Sequence, residues 1–186
     1  YNFITENSIK VKGNDAQIYN FRYSVASKAG LNDLAMKIMK EAIVEKGYWY
    51  SYDYLIEDDD LEPLHKYKDF NELANICKER EVQSQRNSKP DLKEYIPNKL
   101  ADNPLLIALH GNQENILITE DYWRPCIMHK RILALPQSSQ IEFSDAYSWN
   151  DIEKGTKELK EQYKKILKGY NVDPEDIIIG GFSAGA

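Results

Sequence analysis

Cysteine is scarce in this chain. Cys77 and Cys126 are the two among 186 residues; they lie far apart without CxxC spacing, which excludes a disulfide framework or a thiolate metal site and leaves two buried or free thiols. Histidine is almost as sparse. His65, His110 and His129 are the whole supply, so proton-relay chemistry has few bases to draw on. Excess positive charge is absent, and a formal net charge of −6 argues against nucleic acid, whose partners carry a basic stripe. No apolar run approaches the roughly 20 residues that span a bilayer, and no basic start followed by an apolar segment marks a secretory leader. A cytoplasmic protein is the resulting expectation. What remains is globular material, 42% hydrophobic and 29% charged, enough for one ordinary domain or a domain plus a helical annex.

The chain reads in two parts, 1–88 and 89–186. In the first, Leu34, Ala35, Ile38, Met39, Ala42 and Ile43 recur at three- and four-residue steps, the spacing of one helix face. The sequence Gly30-Leu31-Asn32-Asp33 supplies a turn and a cap before them, and Gly47 a stop. A second helix is predicted over 70–85, with Leu73, Ala74, Ile76 and Cys77 inward and Asp69 and Glu72 as a capping box. Between them lies "GYWYSYDYLIEDDDLEPLHKYKDF", whose tyrosines are expected to pack helices together. The acidic run 57–60 lacks the spaced ligands and glycine of a calcium loop, and reads as the cap of a short helix over 61–66. Ala35, Met39 and Ala42, with the following "GYW…DDDLEPL…DF", resemble one tetratricopeptide unit and its closing segment. Stacked units of that kind need about three copies to stand alone, so this part is expected to dock on the second part or on neighbours upstream.

The second part opens after the linker-like "NSKPD". Strands are predicted at "LKEYIPN", "PLLIALHG", "RILALP" and "DIIIGG", the last three being short continuous apolar runs. Helices are predicted over 116–130 and 151–168. The second is expected to be capped by Asn150 with Glu153, to bury Ile152, Leu159, Tyr163, Ile166 and Leu167, and to close at Gly169. Alternating strands and helices with wholly apolar strands imply α/β architecture, a parallel sheet covered on both faces.

At the end of the last strand stands "GGFSAG". A Gly-x-Ser-x-Gly string between a strand and a helix is the setting of a nucleophile elbow, in which Gly181 and Gly185 permit a tight turn and Ser183 projects above the sheet. The N–H of Ala184, following the serine, is one candidate oxyanion donor. The other comes from "LHGN" at the end of an earlier buried strand: the backbone N–H of Asn112, with Gly111 allowing close approach. His110 is expected to hold that loop by hydrogen bonds rather than to move protons.

Together "LLIALHGN", "ILALPQSSQ", "SWND" and "VDPEDIIIGGFSAGA", over about 104–186, resemble the α/β-hydrolase superfamily. The nearest likeness is its carboxylesterase, phospholipase and dienelactone-hydrolase-like branch, akin also to the peptidase domain of prolyl-oligopeptidase relatives. The resemblance implies a serine hydrolase that cleaves a small-molecule carboxylic ester or related acyl bond through an acyl-enzyme on Ser183, with no metal and no organic cofactor. It also implies a general-base histidine and an orienting carboxylate placed after the serine, and none follows Ser183. The expectation is therefore the front part of a hydrolase core, truncated after the elbow, behind a helical tetratricopeptide-like segment. The apolar strand edge over 176–181 is then expected to be covered by a missing C-terminal segment or a second copy. Two other readings stand beside this one: a peptidase or thioesterase on the same fold, and a helical-repeat interaction protein with an inactive hydrolase domain.

Overall fold

The computed structural model of the chain describes residues 2–10, 14–97 and 103–186. Two compact units emerge: Tyr1–Asn87 with Glu142–Asp145, and Ser88–Ile141 with Ala146–Ala186.

The first unit is helical: α1 (Asn2–Asn7), α2 (Asp15–Lys28), α3 (Asn32–Lys40), α4 (Tyr52–Glu57) and α5 (Lys68–Asn87). The side chain of Asn14 starts α2 by accepting the Gln17 N–H at 2.9 Å. The predicted face of α3 is buried at Ala35, Ile38 and Met39, and continues through Ala42 and Ile43 on a π turn, Glu41–Glu45. Asn32 and Asp33 lie inside the first turn of α3, and no side chain caps it. Likewise α5 begins at Lys68, so Asp69 belongs to its first turn and not to its cap. The aromatic segment forms core. Trp49 and Tyr50 are buried, the Tyr50 ring meets Tyr23 edge-on at 5.4 Å, and its hydroxyl donates to the Ala16 carbonyl at 2.8 Å. Within the same unit Ser144 bonds the main chain of Trp49 twice, accepting at Oγ (2.8 Å) and donating from its N–H (3.1 Å).

The second unit is mixed α/β. It contains β1 (Asp91–Tyr95), β2 (Asn103–Leu109), α6 (Ile116–Trp123), β3 (Ile132–Gln137), the first two residues of β4 (Gln140–Phe143), which forms a hairpin with β5 (Ala146–Ser148), and then β5 itself, α7 (Ile152–Gly169) and β6 (Val172–Gly181). The main sheet has the order β1-β3-β2-β6. Strands β3, β2 and β6 are parallel, whereas β1 runs antiparallel to β3. The expected all-parallel sheet is corrected at that edge. Residues 96–102 alone link β1 to β2, too short for the crossover that keeps successive strands parallel.

Alternate residues of β2 and β3 point to opposite faces and both faces are covered. Leu105, Ile107, Ile132 and Ala134 pack with Ile166 of α7; Leu106, Ala108, Leu133 and Leu135 pack with Ile116 of α6. Pro125 ends α6 early, and a 3-10 turn, Arg124–His129, completes the predicted helical stretch. β6 lies at the sheet edge, where Ile178 and Ile179 remain 45% and 63% exposed.

Helix α7 keeps part of its predicted face, with Ile166 buried and Leu159 and Tyr163 packed on the core, and departs from it elsewhere. Ile152 and Leu167 are exposed, while Gly155, Glu158, Gln162 and Ile166 are buried. Its cap is Asp151, whose side chain accepts the Lys154 N–H at 2.9 Å, and not Asn150 with Glu153. The reason is polar. Glu158 accepts the Ser138 hydroxyl and the Ser139 N–H and hydroxyl, and Gln162 donates to the carbonyls of Asp91 and Gln137. Loop amides and hydroxyls buried after β3 need acceptors, and leaving them bare would cost about 1–3 kcal/mol each.

Candidate active site

The register between β2 and β6 sets the site. Leu109 pairs with Gly181 in the parallel ladder, so the loop starting at His110 and the bend starting at Phe182 leave the same end of adjacent strands. In open α/β sheets ligands bind at this carboxyl end.

Phe182 is still extended, with φ −122° and ψ 140°. Ser183 then turns left-handed at φ 51° and opens a single 3-10 turn, Ser183–Gly185. An L-residue in this region is uncommon and costs energy. The surroundings enforce the bend. A Cβ on Gly181 would stand 2.0 Å from the Gly185 carbonyl oxygen, and one on Gly185 would stand 2.5 Å from the His110 oxygen and 2.9 Å from the Leu109 Cβ. Gly180 is fixed by a different neighbour, the Trp123 indole, 2.9 Å from where its Cβ would be. Ser183 and Ala184 are exposed. Neither the Ser183 hydroxyl nor the Ala184 N–H has a hydrogen-bond partner among the described residues.

Facing this bend is the turn after β2. The Gly111 N–H donates to Glu114 Oε2 at 2.8 Å, and the Gln113 N–H donates to the Tyr147 carbonyl at 2.8 Å. The Asn112 N–H has no partner among the described residues. Glu114 pairs with Tyr147 in an isolated antiparallel bridge, so strand β5 braces the turn. A Cβ on Gly111 would meet Glu114 Oε2 at 3.0 Å and Phe182 Cδ1 at 3.1 Å, which places the bend and the turn against each other.

His110 is wholly buried. Its Nδ1 lies 2.8 Å from the Gly111 carbonyl, and Nε2 accepts the Ser138 N–H at 3.3 Å. That pattern assigns the proton to Nδ1. Burial holds its pKa below the ordinary histidine value, partly offset by the bond to the Gly111 carbonyl. The ring stacks on Trp149 at 4.7 Å, and the Trp149 indole N–H donates to the His110 carbonyl at 3.0 Å. With both nitrogens committed, His110 is a scaffold for the loop. In the helical unit, His65 Nε2 sits 3.2 Å from the Leu55 carbonyl and its ring packs on Phe70. The side chain of His129 lies outside the described residues. Among the described residues no three His, Cys, Asp or Glu side chains gather as a metal site, and no helix is long and apolar enough to cross a membrane.

Sequence reasoning named Ser183, Ala184, Asn112, Gly111, Gly181, Gly185 and His110, and the fold brings all of them to one end of β2 and β6. It missed Glu114, Trp123, Ser138, Tyr147 and Trp149, which hold that arrangement. A glutamate three residues after a glycine was the one visible hint, since a carboxylate there can reach back to the preceding amide.

Residues 1–85 match the family described as A/B hydrolase-like, N-terminal domain. An A/B hydrolase-like relationship is thereby supported, and the match, unlike the tetratricopeptide resemblance, ties the helical unit itself to hydrolase-like chains. A crystal structure of an uncharacterized protein from Bacillus cereus is 51% identical, with a TM-score of 0.51; the alignment covers 100% of this chain and 59% of that one. This chain thus spans less than two thirds of that relative's length. No curated protein matches.

Proposed function

We propose that this A/B hydrolase-like chain supplies the nucleophile and the oxyanion donors of a serine hydrolase that acts on a carboxylic ester or related acyl bond. The observation that carries this reading is the left-handed Ser183, at φ 51°, held between two glycines that have no room for a side chain. A backbone that stores strain at one exposed hydroxyl is what an elbow requires.

In this mechanism Ser183 Oγ adds to the acyl carbon while its proton passes to a general base. The carbonyl π pair moves onto oxygen, and the N–H groups of Ala184 and Asn112 stabilise that charge. Collapse breaks the bond to the leaving alcohol, which takes up the proton, and water then cleaves the acyl-serine by the same steps. His110 is not the base, because its Nδ1–H is given to the Gly111 carbonyl and its Nε2 accepts the Ser138 N–H. The base and its orienting carboxylate come from elsewhere in the active assembly. The exposed apolar edge of β6 is proposed to pair with a further strand or a second copy, since open apolar edges are otherwise aggregation-prone.

The test is labelling of the intact protein by a fluorophosphonate probe. Modification at Ser183, abolished by S183A, is the expected result. An intact fold that takes no label at Ser183 would sink the proposal and favour a non-catalytic interaction role.

A further inference from the structure

The turn after β2 has three amides, at Gly111, Asn112 and Gln113, and they are treated differently. Tyr147 takes the Gln113 N–H through its main chain. The Gly111 N–H is taken by a side chain, the Glu114 carboxylate, at 2.8 Å. Glu114 is itself held on both sides: its N–H donates to the Gly111 carbonyl at 3.3 Å and its carbonyl accepts the Tyr147 N–H at 3.0 Å. Among the described residues no cation pairs with this carboxylate, so its identified role points inward to the turn. Its oxygen and the Phe182 ring stand 3.0 Å and 3.1 Å from where a Cβ on Gly111 would be, which sets it beside the bend at Ser183.

We infer that Glu114 is a positioning residue for acyl transfer. By occupying the Gly111 amide it fixes the turn and leaves the Asn112 amide as the turn's donor to the oxyanion. The inference rests on the hydrolase reading above and adds a residue to it. A carboxylate this close to a developing negative charge is itself unfavourable by Coulomb's law. Its charge is drawn instead into a charge-assisted bond with a main-chain amide, the stronger kind of hydrogen bond.

Two variants test it, each read in two ways. In E114A the Gly111 amide loses its acceptor. Its hydrogen-exchange rate is expected to rise about tenfold or more, and kcat for an aryl ester to fall by about tenfold or more with KM within about twofold. E114Q keeps an acceptor oxygen and removes the charge, so exchange at Gly111 should return towards wild type and kcat to within about threefold of it. A general packing defect would lower both variants alike or raise KM as well, and that result overturns the inference. So does unchanged Gly111 exchange in E114A. A wild-type protein with neither hydrolysis nor probe labelling sinks the hydrolase reading itself; Gly111 exchange then still decides whether Glu114 holds the turn.

Discussion

Glycine does opposite work in the two units. In the helical unit, Gly30 and Gly47 have φ of 75° and 78°, and a Cβ at either would meet nothing within 4 Å. They are there for the dihedral, at the ends of helices. In the sheet unit, the glycines around the candidate site have ordinary φ but no room: 2.0 Å at Gly181, 2.5 Å at Gly185, 3.0 Å at Gly111. The left-handed backbone falls instead on side chains that carry polar groups, Gln113 and Ser183. A helix end relieves strain with glycine. The candidate site places the strain on the residue proposed to react and uses glycine to make space for it.

The largest expected effect tests that contrast directly. G181A forces a Cβ into the Gly185 carbonyl, so the bend must shift by about 1 Å or more, and probe labelling at Ser183 should fall by about 100-fold or more. Labelling that survives G181A at near wild-type rate would break the comparison. Next comes pH, where His110 in the sheet unit and the buried tyrosines of the helical unit should respond at opposite ends of the scale. His110 is buried with its pKa lowered from 6.5; the unfolded chain therefore binds the proton that the folded chain resists. Its contribution to stability is present at neutral pH and is lost as pH falls below about 6.5. In the helical unit, burial raises the pKa of Tyr23 and Tyr54 above 10.0. There the unfolded state loses protons first, and stability falls as pH rises above about 10. Melts across pH should show both limbs, and H110Q should flatten only the acid one. An unchanged acid limb in H110Q would remove the histidine from the account. The smallest effect belongs to the helix ends. G47A should cost about 1–2 kcal/mol in thermal unfolding, the penalty for a left-handed L-residue, and leave labelling of Ser183 unchanged.

Much of the fold was legible in order and type. The apolar runs that became β2 and β3, and the periodic α3 face at Ala35, Ile38, Met39, Ala42 and Ile43, were legible because burial drives them; the run in β6 also formed a strand, but at an exposed edge. Helix α7 was legible at Leu159, Tyr163 and Ile166 and misread at its two ends: a rule that buries Ile152 and Leu167 cannot foresee Glu158 and Gln162 turning inward to meet Ser138, Ser139 and two strand carbonyls. The β4–β5 hairpin was also missed, being only 4 and 3 residues per strand. Its residues divide between the units, Glu142–Asp145 clustering with the helices, which no local pattern encodes. At the site, the motif residues were visible and their braces were not, because Glu114, Tyr147 and Trp149 reach the turn through contacts that depend on where β5 ends.

The amino-acid order by itself determined the helical and mixed α/β halves, the buried strands, and a serine flanked by glycines at a strand end. These follow from spacing and side-chain size, which act over a few residues. Tertiary structure alone decided that β1 runs antiparallel, that His110 spends its nitrogens on Gly111 and Ser138, and that the Asn112 amide is left without a partner among the described residues. Each of these depends on which groups distant in the chain come within hydrogen-bond reach, and on the cost of burying any that do not.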